Sequence, residues 1–164
     1  MKIYFDTEFT SLDSIVDYKL ISAGFVAENG QEFYVELTKH YSIDECSNFV
    51  QEAVLPHLDH KTYGMVEPQA RLYLKQWFQS FKEEVVLCSD APGYDFPLIY
   101  DLCHKNKNWA HNLRKMPANV GSHFVEQGIE NYFQYQPMAI RHHALWDARA
   151  LAAAVKAYET GIRY

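Results

Sequence analysis

The sequence is poor in cysteine, with only Cys46, Cys88 and Cys103, which are odd in number and far apart. Because no CxxC pair occurs, neither a zinc ribbon nor a disulfide framework is supported. No apolar run approaches the roughly 18 residues that a membrane span needs. The N-terminal segment "MKIYFDTEF" becomes polar at Asp6, unlike a signal peptide. These absences predict reduced thiols, a cytoplasmic location and no membrane partner.

Positive charge is also scarce, since 15 Lys and Arg residues stand against 21 Asp and Glu residues, for a formal net charge of −6. This balance argues against a broad surface that follows the phosphates of a nucleic acid. It does not exclude an enzyme that holds a few nucleotides through metal ions, because such a pocket is itself acidic.

Repeats, low-complexity runs and Gly/Ser linkers are absent too. The 164 residues, 48 % of them hydrophobic, predict a single domain spanning residues 1–164.

Three β-strands are predicted near the start, over residues 2–8, 19–27 and 32–37. The first carries apolar residues on both faces, as a central strand does. Asn-Gly at residues 29–30 is a two-residue hairpin signal, and the third strand alternates cleanly between apolar and polar residues. The pattern indicates an antiparallel three-strand meander.

Helices are predicted to dominate afterwards. Residues 67–81 carry one apolar stripe at helical spacing, formed by Leu74, Trp77, Phe78 and Phe81. The alanine-rich segment 144–160 is a second helix that stops at Gly161.

The middle of the chain has weaker signals. Residues 85–89 read as a short buried strand and "DAPG" (90–93) as a turn, with a helix after Pro97. The stretch 105–136 shows no regular pattern. Three strands followed by alternating helices and strands predict an α/β domain with a mixed sheet.

Two carboxylates, Asp6 and Glu8, lie two residues apart on the first predicted strand, so both point to the same face. They repel each other unless a cation lies between them or one is protonated. Hard oxygen pairs of this kind suit Mg²⁺ or Mn²⁺. The pair indicates either a metal site or a strand end with solvated charges.

Asp95 and Asp147 each lie near the start of a predicted helix, where the helix dipole favours an acid. The dipole alone accounts for Asp95. Asp147 lies among apolar residues, where a carboxylate costs free energy unless it is paired or bound to a metal. Asp90 is interpreted as a turn residue.

Two adjacent histidines precede Asp147 in "RHHALWDAR". His143, four positions before Asp147, shares its helical face, which suits either a joint metal site or a surface pair. His142 lies in the preceding loop if the helix begins near Ala144. There it is either a general base that reaches over the site or a surface residue.

Four segments together resemble the DEDDh 3′–5′ exonucleases of the ribonuclease H-like superfamily. In order, "FDTEF", "GYDFPLI" and "HHALWDA" match the family motifs Asp-x-Glu, aromatic-Asp and His-x-Ala-x-x-Asp. The strand meander is the fourth match. The matched residues are Asp6, Glu8, Asp95, His142 and Asp147. The motifs look most similar to those of the small stand-alone prokaryotic and phage exoribonucleases of this group.

Two positions distinguish this chain within the family. Many relatives carry Asn four to five residues before the second-motif Asp, where this sequence has Asp90 or the "APG" turn. A sister group has Tyr four positions before the last Asp, and His143 holds that place here. The family pattern therefore assigns the base to His142.

The resemblance implies a ribonuclease H-like fold and two-metal-ion hydrolysis of the terminal phosphodiester with Mg²⁺ or Mn²⁺. By the family pattern, Asp6 would bridge both ions, Glu8 and Asp147 would hold the ion that activates water, and Asp95 would support the second ion through waters. His142 would take the proton from the water. Nucleoside 5′-monophosphates would leave from the 3′ end of RNA.

The family pattern also places Phe9 and Thr10 beside the terminal nucleotide. Stacking of a base on Phe9 would be worth roughly 1–3 kcal/mol, and the alternative is that Phe9 belongs to the core. Arg141 and Arg149 flank the third motif and suit either a phosphate contact or a surface salt bridge.

Three further questions stay open at this stage. DNA is an alternative substrate, because contacts to a 2′-hydroxyl come from loops and backbone that the motifs do not reveal. A nucleotide-binding or nucleic-acid-binding module without catalysis is the alternative function. Related enzymes form homodimers, in which residues 105–136 would pack.

Overall fold

The structure is a computed structural model that describes residues 1–12, 18–104 and 109–161. Within these ranges, six strands form one mixed sheet. The strands are β1 (Lys2–Phe9), β2 (Leu20–Ala27), β3 (Glu32–Leu37), β4 (Gly64–Met65), β5 (Val86–Ser89) and β6 (Ala118–Asn119). Their order in the sheet is β4-β3-β2-β1-β5-β6. The β1–β2 and β2–β3 pairs are antiparallel and the other three neighbouring pairs are parallel. The predicted mixed sheet with its antiparallel meander is confirmed.

Helices flank the sheet. The 3₁₀ turn Ile43–Glu45 precedes α1 (Asn48–Ala53), and the 3₁₀ turn Leu55–His57 follows it. Ser47 caps α1, and Ser122 caps α5 (His123–Tyr135), each by accepting a backbone N–H hydrogen bond. No helix in the described ranges combines the length and the apolar character needed to cross a membrane. The helices are α1 (Asn48–Ala53), α2 (His60–Tyr63), α3 (Glu67–Ser80), α4 (Pro92–His104), α5 (His123–Tyr135) and α6 (Ala144–Glu159).

Strand β1 lies in the middle of the sheet and faces a different helical layer on each side. Ile3 and Phe5 are fully buried in a core with residues of α3 and α4, while Tyr4 packs with residues of α5 and α6. Because side chains alternate along a strand, Asp6 and Glu8 continue the α5–α6 face. The register of β1 with β2 shifts between Glu8 and Phe9, a bulge of the kind often found beside functional sites.

Three expectations for the local structure were wrong. The "DAPG" turn is partly helical, because α4 begins at Pro92 and contains Pro97. The N–H groups of Tyr94 and Asp95 bond to the Ala91 carbonyl, which closes the first turn ahead of Pro97.

The hairpin after β2 has a three-residue loop, since the N–H of Ala27 bonds to the carbonyl of Gln31. Gly30 adopts φ +87° in this loop, which suits the left-handed position of such a hairpin. The stretch 105–136 contains β6 and the whole of α5. Gly128 inside α5 obscures the helical pattern, but it lets α5 approach Ala154 closely, because a Cβ there would lie 2.8 Å from the Ala154 Cβ.

Candidate active site

Three carboxylates meet at the end of β1. Asp6, Glu8 and Asp147 each offer an oxygen, and these oxygens all lie within 4.8 Å of one another. The two β1 residues share a face as their spacing predicts, and the first turn of α6 supplies Asp147. All three side chains are partly buried.

All three acids have a raised pKa, because burial disfavours the charged form, and like charges add to this effect at Asp6 and Glu8. Burial, followed by the charges of the nearby carboxylates, holds the pKa of Asp6 well above its usual range. The same causes raise the pKa of Glu8 to about 8. Burial raises the pKa of Asp147 to about 6, against the opposing effect of a backbone hydrogen bond from His143.

A hard divalent cation fits this cluster. Its donors are carboxylate oxygens alone, the ligands that Mg²⁺ and Mn²⁺ prefer. Burial and the neighbouring carboxylates raise the pKa of Asp6 and of Glu8, and a bound cation would favour their ionised forms.

The start of α6 holds Asp147 in place. His143 is the N-cap residue, and its backbone N–H donates to Oδ2 of Asp147 at 2.9 Å. In return, the N–H of Asp147 donates to the His143 carbonyl at 3.1 Å. This reciprocal pair satisfies a backbone donor and fixes one carboxylate oxygen.

Gly24 allows α6 to reach the carboxylates. It lies opposite Asp6 in the β1–β2 ladder, and a Cβ at this position would lie 2.4 Å from the carbonyl carbon of Ala144. No side chain fits such a space, so the glycine permits the N-terminus of α6 to lie directly on β2.

Asp95 is held separately, by two hydroxyl groups. Thr7 Oγ1 donates to Oδ1 of Asp95 at 2.7 Å, and Ser89 Oγ donates to Oδ2 at 2.6 Å. The side chain comes from α4 and is 4 % exposed. Burial raises the pKa of Asp95 to about 6, although the two hydroxyls lower it. Asp95 therefore borders the three-carboxylate cluster without belonging to it.

His142 lies in the turn before α6, because the helix begins at Ala144. Its φ of +58° is uncommon for a residue with a side chain and is a feature of many functional sites. The ring meets the ring of Phe49 edge to face, with centroids 4.9 Å apart. Burial and the charge of Arg141 lower the pKa of His142, which favours the neutral ring at pH 7.

The ring of His143 is not part of the carboxylate cluster, so the joint metal site that its spacing to Asp147 allowed does not form. The ring stacks on Tyr34 with centroids 4.6 Å apart and an interplanar angle of 23°. Only the backbone of His143 contacts Asp147, because the helix starts one residue later and His143 has extended dihedral angles.

A cleft of about 1010 Å³ brings the predicted residues together. Its lining includes the four carboxylates and the histidine that the motifs single out, and its remaining walls are partly apolar. No Lys or Arg is among the described residues that line it. The predicted residues in the lining are Asp6, Glu8, Asp95, His142 and Asp147, and the apolar ones include Phe9, Leu12, Phe49 and Tyr94.

The predicted substrate contacts and the two arginines that flank the third motif lie in different surroundings. Phe9 lines the cleft and packs on Tyr18. Thr10 is 2 % exposed, and its hydroxyl accepts the backbone N–H of Lys19. Arg141 and Arg149 both form ion pairs, with Glu130 and Glu32, as the salt-bridge alternative predicts. Whether Phe9 and Thr10 contact a substrate stays a prediction.

Sequence reasoning missed several residues of the site. Phe49, Leu12 and Tyr94 are more than one-third exposed within the cleft, and Asp90, interpreted as a turn residue, also lines it. Phe49 lies on α1, for which the sequence offered no motif. Ser89 could have been found, because it ends a buried strand and directly precedes the turn into α4.

Only the comparison with solved structures gives a match, and it concerns the fold. Family models and curated proteins give no match. Among solved structures, the chain is similar to the crystallographic structure of the nuclease domain of 3'hExo, a DEDDh family member, bound to rAMP. The TM-score is 0.61 at 13 % identity, and the match covers 98 % of this chain and 92 % of that one. The likeness shows an α/β fold of the ribonuclease H-like type, as expected.

Proposed function

We propose that this protein is a metal-dependent 3′–5′ exonuclease that releases nucleoside 5′-monophosphates from the 3′ end of RNA. The observation that carries the proposal is the cleft in which Asp6, Glu8, Asp95, His142 and Asp147 all converge. These residues come from three separate parts of the chain. Their meeting in one cleft supports the motif assignment far more strongly than any one motif alone.

The carboxylates would hold two divalent ions, Mg²⁺ or Mn²⁺. Asp6, Glu8 and Asp147 present their oxygens together, with Asp6 as the bridging ligand and Asp95 supporting the second ion. When bound, such ions stabilise the charge that develops on the attacking and leaving oxygens. Thr7 and Ser89 hold Asp95 in place through their hydroxyl groups.

His142 would act as the general base. Its ring lies in the cleft beside the carboxylates without belonging to the group of possible metal ligands, and its lowered pKa keeps it neutral and able to accept a proton. A water oxygen attacks the terminal phosphorus and its proton passes to an imidazole nitrogen of His142. The bond from phosphorus to the 3′-oxygen breaks, and the released 3′-oxygen takes up a proton from solvent, which leaves a shortened chain with a 3′-hydroxyl and a free 5′-monophosphate.

Aromatic walls would bind the terminal nucleotides. Phe9, Phe49 and Tyr94 line the cleft, and every base can stack on such rings whatever its sequence. The role of Thr10 would be indirect, since its carbonyl accepts the N–H of Ser47, next to the start of α1, and this bond joins the Phe9 segment to α1.

RNA is proposed over DNA from the motif resemblance to small prokaryotic and phage exoribonucleases. The structural neighbour was crystallised with rAMP, which is compatible with a ribonucleotide in a cleft of this fold. A 3′–5′ exodeoxyribonuclease with the same chemistry is the second candidate. The cytoplasm is the proposed location. Related enzymes form homodimers, and light scattering would measure whether this protein does so too.

The test uses matched RNA and DNA oligonucleotides that carry a 5′ label. With Mn²⁺ present, RNA should be shortened one nucleotide at a time from the 3′ end, and DNA should be shortened more slowly. Asp6→Asn, which keeps the shape of the side chain, is the control and should be inactive. Faster shortening of DNA would favour the second candidate. Nucleotide binding without any shortening would favour a module that lacks catalysis.

A further inference from the structure

A buried carboxylate outside the cleft anchors an aromatic ring next to the active site. Glu36 on β3 is 0 % exposed and is not among the residues that line the cleft. Its Oε1 accepts the hydroxyl of Tyr34 at 3.0 Å and the backbone N–H of Asp59 at 2.9 Å. His60 Nδ1 lies 3.0 Å from Oε2, but the two atoms do not have the geometry of a hydrogen bond. A buried acid needs such partners, and here they join β3 to the segment that begins α2.

The anchored ring of Tyr34 lies between two other rings. Tyr63 of α2 packs against it edge to face, with centroids 5.0 Å apart, and His143 stacks on it at 4.6 Å. Burial and the nearby Glu36 raise the pKa of Tyr34, so its hydroxyl stays protonated and donates. Hydrogen bond and packing together hold this ring in one position.

The contact with His143 leads directly to the proposed catalytic groups. The residue before His143 is His142, in a left-handed conformation with φ +58° that is uncommon for a residue with a side chain. The backbone N–H of His143 holds Asp147. His143 thus joins the stacked rings to both a proposed metal ligand and the residue next to it in the chain, the proposed base.

We propose that Tyr34, anchored by Glu36, is a positioning residue that sets the orientation of His142 and Asp147 through the ring of His143. This inference rests on the proposed function for the roles of those two residues. Tyr34 would touch neither substrate nor metal. It would hold in place the residues that contact the metal or the attacking water. Loss of such a supporting residue typically weakens metal binding or activity by about 10- to 100-fold.

The test compares Tyr34→Leu, which removes the stacking ring, with Tyr34→Phe, which keeps the ring and removes only the hydroxyl. Tyr34→Leu should lower both Mn²⁺ affinity, measured by calorimetry, and turnover at saturating Mn²⁺ by about tenfold or more. Tyr34→Phe keeps the stacking ring but loses the hydrogen bond to Glu36, so it should fall between Tyr34→Leu and the wild type. Wild-type behaviour of Tyr34→Phe would overturn the anchoring by Glu36. Equal impairment of the two variants, or wild-type behaviour of a folded Tyr34→Leu protein, would overturn the positioning through the ring.

A matched control separates positioning from general loosening of α6. Glu32 on the same strand forms an ion pair with Arg149 on the same helix, with contacts of 2.8 and 2.6 Å. Glu32→Gln should lower thermal stability but leave Mn²⁺ affinity unchanged. If Tyr34→Leu does not fold, His143→Ala removes the same stack from the other side and should reproduce the loss of affinity. Unchanged affinity in His143→Ala would contradict the inference.

A third readout is independent of activity and of metal. The ring of Phe49 faces the ring of His142, so NMR of the wild-type protein should show ring-current shifts of the His142 ring protons. In Tyr34→Leu these signals should move toward the positions of an unstructured histidine. If the wild type is inactive but this change occurs, the proposed function fails and the positioning inference stands. Unmoved His142 signals in Tyr34→Leu would overturn the inference even if the wild type is active.

Discussion

The backbone N–H of His143 donates a 2.9 Å hydrogen bond to Oδ2 of Asp147. Through this bond the two residues form one unit at the start of α6, while the ring of His143 lies on Tyr34. His142, the preceding residue, instead places its ring in the cleft. The two adjacent histidines therefore have different tasks, which substitution can separate.

His142→Ala should lower turnover by about 10²- to 10⁴-fold, the usual contribution of a general base, while Mn²⁺ affinity stays close to that of the wild type. His143→Ala keeps its backbone N–H and loses only the stack, so at saturating Mn²⁺ it should keep more turnover than His142→Ala. Steady-state kinetics and calorimetry measure both effects. An inactive His143→Ala beside an active His142→Ala would reverse the assignment of the base.

The metal-free protein should lose thermal stability as the pH rises. The pKa of Glu8 is raised from 4.5 to about 8 and that of Asp147 from 3.8 to about 6, so between these values the folded state binds more protons than the unfolded chain. By linkage, the free energy of unfolding is highest below about pH 4 for these groups and falls as the pH rises toward 8.

Melting curves in EDTA from pH 5 to pH 8.5 measure this effect, and Glu8→Gln is the control because it removes the larger of the two shifts. Excess Mn²⁺ should restore most of the stability lost at high pH, since a cation replaces the protons. A melting temperature that rises with pH in EDTA would contradict this description of the carboxylate cluster.

Gly24→Ala should weaken the metal site, although Gly24 supplies neither a metal ligand nor the general base. The added Cβ would lie 2.4 Å from the backbone of Ala144, so α6 must move away from β2 and take Asp147 with it. We expect a loss of about 1–3 kcal/mol in stability, as for other overpacked sites, together with weaker Mn²⁺ binding.

Gly93→Ala is the matched control for this substitution, because a Cβ at Gly93 has nothing within 4 Å. Denaturant unfolding and calorimetry compare the two variants. Equal effects of the two alanines on Mn²⁺ affinity would show that the close approach of α6 to β2 does not matter for the metal site.

Salt should affect substrate binding only weakly. The described residues that line the cleft include no Lys or Arg, and each phosphate neutralised by a single-strand binder contributes about −0.7 to the slope of log affinity against log salt. With at most one such contact, KM should change less than about threefold between roughly 50 and 200 mM KCl. A change of 100-fold or more would show a cationic surface outside the cleft that grips the RNA.

Much of this site could be predicted from local patterns. The period of a strand places Asp6 and Glu8 on one face, and the alanine-rich run predicts a last helix over residues 144–160, with His142 in the loop before it. Such features depend on a few consecutive residues. They survive folding because the backbone geometry of a strand or a helix fixes which side chains share a face.

The missed features depend on contacts between distant segments. The alternation of β3 does not show that Glu36 is fully buried, because the cover comes from residues 59 and 60, more than twenty positions later. Likewise, nothing near His142 in the sequence indicates Phe49 as its neighbour. The hydroxyl partners of Asp95 come from β1 and β5, and only the sheet order brings them together.

The most direct test of the account is the identity of the first product released from a single-stranded RNA oligonucleotide with Mn²⁺, determined by mass spectrometry. Wild-type protein should release the 3′-terminal residue as a nucleoside 5′-monophosphate, and Asp6→Asn should release nothing under the same conditions. A nucleoside 3′-monophosphate, an internal fragment as the first product, or equal release by Asp6→Asn would contradict the proposed two-metal exonuclease site.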